Sequence, residues 1–316
     1  MRMAAFIAGT IAGFGAYFRV KNKGSAPTRK TPQQHAPLAS STPKKVPASA
    51  NAYQPKADIL ISAGPRKSQK DTELGEDVAG TVLTPNQITF WVLDGTSDSD
   101  IIHTEKGSEL LSSRLLALSL GATLHQLAQK HPTAQSLFTA ALESVTEHLQ
   151  EQLEQQRSRL EQFVATQPSG LHHWQVSTTV LLGTLSVNGS VNLLRVGDSK
   201  ALCFDEEFQL IESHIGEKPE SKALGRLYAR LNHNPSNAET PFSITLIPLT
   251  SEQVHLASAD GVRRVIAFSD GVGPATEQYL RLMLGRQAYS NFLAGVGRTP
   301  NRTFDDKTLV LASFEQ

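Results

Sequence analysis

Residues 176–199 read Val-Ser-Thr-Thr-Val-Leu-Leu-Gly-Thr-Leu-Ser-Val-Asn-Gly-Ser-Val-Asn-Leu-Leu-Arg-Val-Gly-Asp-Ser. Two β-rich runs, Val176–Val187 and Val191–Val196, flank Asn188-Gly189, the strongest short hairpin signal a sequence offers. The hairpin predicts an antiparallel sheet. Outward from it, short strands are predicted at Ile59–Ile61, Val78–Leu83, Ile88–Leu93, Ala201–Phe204, Phe208–Ile211, Val254–Ala257, Val265–Phe268 and Thr308–Ala312. Helical spacing covers about Glu105–Lys130, and the stripe Leu142, Val145, Leu149, Leu153, Leu160, Phe163 predicts a long helix with a Gln/Glu-rich outer face. Fewer than about four clean heptads favour a core-covering helix over a coiled coil. Two shorter helices are predicted near Pro274–Arg286 and Tyr289–Gly295. Strands joined by tight turns outnumber βαβ alternations. The fold expected is therefore α+β, two antiparallel sheets packed as a sandwich and flanked by helices. Between Ser213 and Thr250 the pattern weakens, and that stretch reads as a flap or peripheral insertion.

The chain of 316 residues, 39% of them apolar, is long enough for one large or two ordinary domains with a sizeable core. Its net charge of zero hides an asymmetry: nine Lys or Arg and no acid precede Asp58, and 21 basic face 30 acidic residues after it. An acidic body without a basic, aromatic-interleaved stripe excludes a nucleic-acid-binding domain. Cys203 is the only cysteine, so there is neither a disulfide framework nor a sulfur-based zinc site, as suits a reducing compartment. Residues 3–18 carry no charge but fall short of the ~20 that span a bilayer. Segment 1–23 is a candidate membrane anchor, and Arg19, Lys21 and Lys23 would then hold the body in the cytoplasm. A cleaved signal fits less well, because no small-x-small site precedes Arg19. Residues 24–57, with six prolines among Ser, Ala, Lys and Gln, read as a disordered linker. The domain proper is expected over 58–316.

Two runs share one grammar: Phe90-Trp91-Val92-Leu93-Asp94-Gly95 and Ile266-Ala267-Phe268-Ser269-Asp270-Gly271. Each apolar strand ends in an acid followed by glycine. Two acids at one rim repel each other unless a cation joins them. Acids recur at Gly75-Glu76-Asp77 and Phe304-Asp305-Asp306-Lys307-Thr308. Any one of these is foremost a turn signal; the four together point to a site. Oxygen ligands without His or Cys select hard cations, so Mg²⁺ or Mn²⁺ are expected. Two such ions close together would activate a shared water and clamp a phosphoryl group for in-line attack.

With these motifs in place, residues 58–316 resemble the metal-dependent protein phosphatases of the type 2C family. The resemblance is carried by Gly75-Glu76-Asp77-Val78, Val92-Leu93-Asp94-Gly95, Ser177-Thr178-Thr179, Leu194-Arg195-Val196-Gly197-Asp198-Ser199-Lys200-Ala201, Phe268-Ser269-Asp270-Gly271-Val272 and Asp305-Asp306-Lys307-Thr308-Leu309-Val310. It implies a sandwich with two metals, or three, in a cleft at one end. By position, Asp94 would bridge both ions, Asp270 and Asp305 would hold one and Glu76 the other, and the carbonyl of Gly95 would complete the set. Asp94 and Asp270 would thus be the catalytic acids. Asp198 would bind a third, weaker ion shared with Asp270, while Asp77 and Asp306 would support the site. The implied substrate is a phosphorylated protein, and the catalytic domain is expected to be monomeric. Where relatives continue Asp-Gly with His-Gly-Gly, this chain has Thr96-Ser97-Asp98; where they carry a phosphate-gripping Arg, it has Thr72-Glu73-Leu74. Arg66, Lys67 or Lys70 would have to replace the Arg. His103, His172 and His173 are the candidates for the missing acid. These departures leave two further readings, an inactive phosphatase-like binding module and a phosphatase for small metabolites. Cys203, in an apolar strand, is read as core, and Ser269 lacks the His-Asp pair that a nucleophile needs.

Overall fold

Strand β3 (Gln87–Leu93) is buried along almost its whole length, as a strand must be when both of its faces are covered. The computed structural model describes residues 53–62, 76–95, 113–155, 157–166, 173–211, 225–272 and 306–316. Around β3 are β1 (Gln54–Ser62), β2 (Val78–Leu83), β4 (His173–Thr178), β5 (Val180–Ser186), β6 (Val191–Val196), β7 (Lys200–Phe204) and β8 (Leu210–Ile211). The later strands are β9 (Leu227–His233), β10 (Phe242–Ile247), β11 (His255–Ala259), β12 (Arg264–Phe268) and β13 (Lys307–Glu315). One sheet runs β1-β13-β12-β7-β8, a second β11-β6-β5-β3-β2, and a three-stranded sheet β10-β9-β4 adjoins the second. Every ladder is antiparallel. β1, β12 and β13 face β2 and β3, which makes the α+β sandwich. Helix Ser113–Leu127 covers β2, β3 and β4, and helix Ala134–Gln155 lies on that helix and on β5, β6 and β10.

Two aromatics set the sheet's centre. Phe90 and Trp91 point to opposite faces, and each lies over a glycine directly across the ladder. Gly183 pairs with Phe90 and Gly80 with Trp91. A Cβ at Gly183 would stand 2.1 Å from Phe90 Cζ, and one at Gly80 would stand 2.2 Å from Trp91 Cζ2. On the Trp91 face, Gly121 lets the Ser113–Leu127 helix approach Val78 and Leu93, and His125 meets the indole edge-on at 6.3 Å. The Ala134–Gln155 helix starts where Thr133 accepts the Ser136 N–H at 3.2 Å, an N-cap after Pro132. Its buried stripe is Leu137, Phe138, Ala141, Val145, Leu149 and Leu153. The side chain of Gln150 closes the edge of β10, donating to Phe242 O at 3.2 Å and accepting from Ile244 N at 3.3 Å. That occupies main-chain groups an edge strand would otherwise leave open.

Several expectations are corrected. The run Val176–Val187 is two strands broken at Thr179. The Asn188-Gly189 hairpin forms as expected, closing as a three-residue loop: Gly189 N donates to Ser186 O at 2.9 Å, Ser186 N to Ser190 O at 2.8 Å, and within the loop Gly189 takes positive φ, +88°, as a type I turn followed by a left-handed glycine requires. Within 213–250, residues 227–233 and 242–247 are strands rather than a flap. Their inward residues Leu227, Ala229 and Leu231 alternate with Tyr228 and Arg230, so the apolar signal is diluted. The long helical stripe is two helices, Ala134–Gln155 and Arg157–Thr166. β1 begins at Gln54, inside the stretch read as linker. Phe208 belongs to a turn, with φ +61°, held by the Arg264 guanidinium 3.8 Å over its ring. The helices expected at 274–295 and the segment 1–23 lie outside the described residues. Among the described residues no helix is long and apolar enough to cross a membrane.

Gly183→Ala is expected to destabilise the chain by about 1–3 kcal/mol through overpacking against Phe90. The check is the urea midpoint, which should fall at unchanged slope; an unmoved midpoint would mean that the ring is not held where the structure has it.

Candidate functional site

The ladders carry their registers one residue beyond the strand ends, and this assembles the site. In the second sheet, Val78 pairs with Leu93 and Val180 with Val196. The next row therefore sets Asp77 across from Asp94, and Thr179 across from Gly197. The β3–β5 register likewise continues past Val92–Leu181 to the bridge between Gly95 and Thr178, with Thr179 N donating to Asp94 O at 2.8 Å. In the first sheet, Phe268 pairs with Leu309 and with Lys200, so Ser269 lies across from Thr308 and from Ser199. Ser269 N donates to Thr308 O at 3.1 Å, and Thr308 N donates to Ser269 Oγ at 3.1 Å. The two rows close on each other where Glu76 N donates to Asp306 Oδ2 at 2.6 Å. Gly95 sits against Glu76 so tightly that a Cβ would be 2.8 Å from the Glu76 carbonyl oxygen.

Asp77 and Asp306 are each 1% exposed, and Glu76 and Asp94 are also buried. Burial first, and the nearby Asp306 charge second, push the Asp77 carboxyl up to about 7. Neither Asp77 oxygen has a hydrogen-bond partner, so the hydroxyls of Thr308 and Ser269, which pull the other way, act as nearby dipoles rather than bonded donors. Arg114, at the start of its helix, reaches the Asp77 carbonyl at 3.5 Å. Arg195, lowered by burial and raised by Asp198, places a cation near the Gly197-Asp198-Ser199 turn.

The residues singled out in the sequence thus separate by depth. Asp77, Asp94 and Asp306 lie together between the sheets, and the buried Glu76 reaches Asp306 through its amide. Asp198 is half-buried and Asp270 exposed, on turns at the same end. Asp305, Thr96, Thr72, Arg66, Lys67, Lys70, His103 and His172 lie outside the described residues, and His173 opens β4 at the end away from Thr178. Asp77 and Asp306, read from sequence as supports, are the deepest of the acids. Ser199, Ser269 and Thr308, members of the quoted motifs without an assigned role, are fully buried.

Among the described residues no three acid, His or Cys side chains form a preassembled cage for an ion. The donor chemistry nonetheless suits a hard cation: only oxygen is offered, two buried acids repel each other, and one carboxylate has both oxygens unpartnered.

Comparison with known proteins adds to this geometry. No family model matches the sequence, and no curated protein does. Solved structures do. The chain is similar in structure to bacterial serine phosphatases. Stp1, a serine/threonine phosphatase from Staphylococcus aureus, aligns at 14% identity and a TM-score of 0.44 over 83% of this chain and 95% of its own. RsbX, solved in complex with magnesium, aligns at 11% and 0.46 over 84% and 98%, and the photosystem II phosphatase PBCP at 16% and 0.42 over 83% and 99%. A likeness this distant concerns the path of the chain, and the chemistry must stand on the carboxylates themselves.

The pKa of Asp77 yields a pH prediction. Its folded value, about 7, lies above the ordinary 3.8, so between those values the folded chain keeps a proton that the unfolded chain releases. Stability without metal should fall as pH rises from about 4 to about 7 and level off above. Thermal unfolding in chelator should show this slope for the wild type and a flatter one for Asp77→Asn. Excess Mg²⁺ should also flatten it, because a cation replaces the proton. Equal slopes in wild type and variant would refute the buried acid pair.

Proposed function

We propose that this chain is a metal-dependent serine/threonine phosphoprotein phosphatase, hydrolysing phosphoesters with water activated by Mg²⁺ or Mn²⁺. The observation that supports it is the meeting, between two sheets, of acids from three separate strand ends: Glu76 and Asp77 before β2, Asp94 after β3, and Asp306 before β13. A fold gains little stability from gathering several acids in its interior, so the gathering points to a cation-dependent task.

On this reading Asp94, Glu76, Asp270, Asp305 and the Gly95 carbonyl would hold the ions, and Asp198 would hold a weaker third. Bound ions would neutralise the acids and supply an activated water at phosphorus. The acids alone repel a phosphate dianion, so substrate binding itself should need the metal. Asp77 and Asp306 lie behind the ligands, Asp77 shifted toward holding a proton, while Thr178 and Thr179 fix the main chain of Asp94. Residues 1–23, uncharged over 3–18, would tether the domain at the cytoplasmic face of a membrane. The second reading, a phosphatase-like binding module, is favoured by Thr96-Ser97-Asp98 and Thr72-Glu73-Leu74; it predicts phosphopeptide binding without turnover.

The full chain should hydrolyse a phosphothreonine peptide with Mn²⁺ or Mg²⁺ and stop in chelator. Asp94→Asn should lower turnover at least about a hundredfold, the scale of losing one strong electrostatic stabiliser, with the circular dichroism spectrum unchanged. Turnover that survives both chelator and Asp94→Asn would overturn the proposal.

A further inference from the structure

Thr179 breaks an otherwise continuous run from His173 to Ser186, and the break falls in the row that holds the acids. Its main chain and side chain face different partners. The N–H donates to Asp94 O at 2.8 Å, an oxygen that also accepts from Thr178 Oγ1 at 3.0 Å. The hydroxyl is hydrogen-bonded to Ser199 Oγ at 3.1 Å. Across the ladder, Gly197 lies so close that a Cβ there would be 2.6 Å from Thr179 Cβ and 2.7 Å from Cγ2, and its φ is +108°. Thr178, Thr179 and Ser199 are all buried, Thr179 at 2% exposure. Two acid-bearing turns, Asp94-Gly95 and Gly197-Asp198-Ser199, therefore meet at one residue, which touches the first through its backbone and the second through its side chain.

From this juxtaposition we propose that Thr179 is a positioning residue that seats the Gly197-Asp198-Ser199 turn against Asp94, so that cation binding at Asp198 depends on the Thr179 hydroxyl. The proposal rests on the phosphatase reading for Asp198 as a ligand of the weaker ion. Valine is the discriminating substitution: it keeps the amide bonded to Asp94 and the methyl against Gly197, and removes only the bond to Ser199. A residue that merely fills space would tolerate that change.

The test is direct Mn²⁺ binding to the full chain, counted by electron paramagnetic resonance and titration calorimetry. Thr179→Val should weaken the lower-affinity class about tenfold or more, the scale of losing a group that orients a ligand, and leave the tighter class unchanged. Thr179→Ser should bind as wild type. Asp198→Asn should lack the weaker class, and Thr179→Val should add nothing in that background. An unaltered weaker class in Thr179→Val, or loss of the tighter class in its place, overturns the proposal while leaving the phosphatase reading intact. Should Thr179→Val fail to fold, Ser199→Ala removes the same hydrogen bond, and an unaltered weaker class there overturns it equally. A wild-type chain that binds no Mn²⁺ at all would remove the phosphatase reading and this inference together.

Discussion

Asp77 and Asp306 lie beside each other in a place water scarcely reaches, and two carboxylates so placed cannot both stay ionised without a compensating charge. Several described features of this end of the molecule bear on that constraint. Asp77 is shifted toward holding a proton. The Glu76 amide is turned onto Asp306. The carbonyl of Asp94 is taken up by Thr178 and Thr179, which fixes the main chain there. A proton satisfies this arrangement at low pH and a divalent cation would satisfy it at neutral pH.

Such a cluster needs a rigid surround, because a soft one would relax by letting water in. The sandwich supplies it through β3. Phe90 on one face and Trp91 on the other are each seated over a glycine of a neighbouring strand. These seats bear on register as well as density: a slip by one residue would send every side chain of β3 to the opposite face, Asp94 included. The same alternation that buries Phe90 and Val92 therefore delivers Asp94 to the interior end. On the first sheet, the alternation that separates Leu309 and Leu311 from Thr308 and Asp306 does the same.

Much of this was legible from local pattern. Apolar runs ending in Asp-Gly mark Asp94 and Asp270 as strand-end acids, and Asn188-Gly189 marks the central hairpin. The pattern gave out wherever a strand alternates with long side chains that carry polar groups, as in Leu227–His233, where Tyr228 and Arg230 stand between the inward Leu and Ala. It also gave out at Thr179, since a break of one residue inside a β-rich run leaves no mark on composition. The depth of Asp77 and Asp306, read only as supports, was not legible in the sequence, because a residue's burial at a strand end depends on what packs over it.

The sequence by itself determined which segments are strands with two covered faces, which residues turn the chain at their ends, and that the acids at those ends carry oxygen donors alone, because these depend on side-chain type and spacing over a few residues. The tertiary structure alone decided which of those acids share one space. Glu76 and Asp306 are far apart in the chain, and only the stacking of one ladder on another brings an amide of one sheet to a carboxylate of the other. That is a property of pairing and packing between segments, which no local pattern encodes.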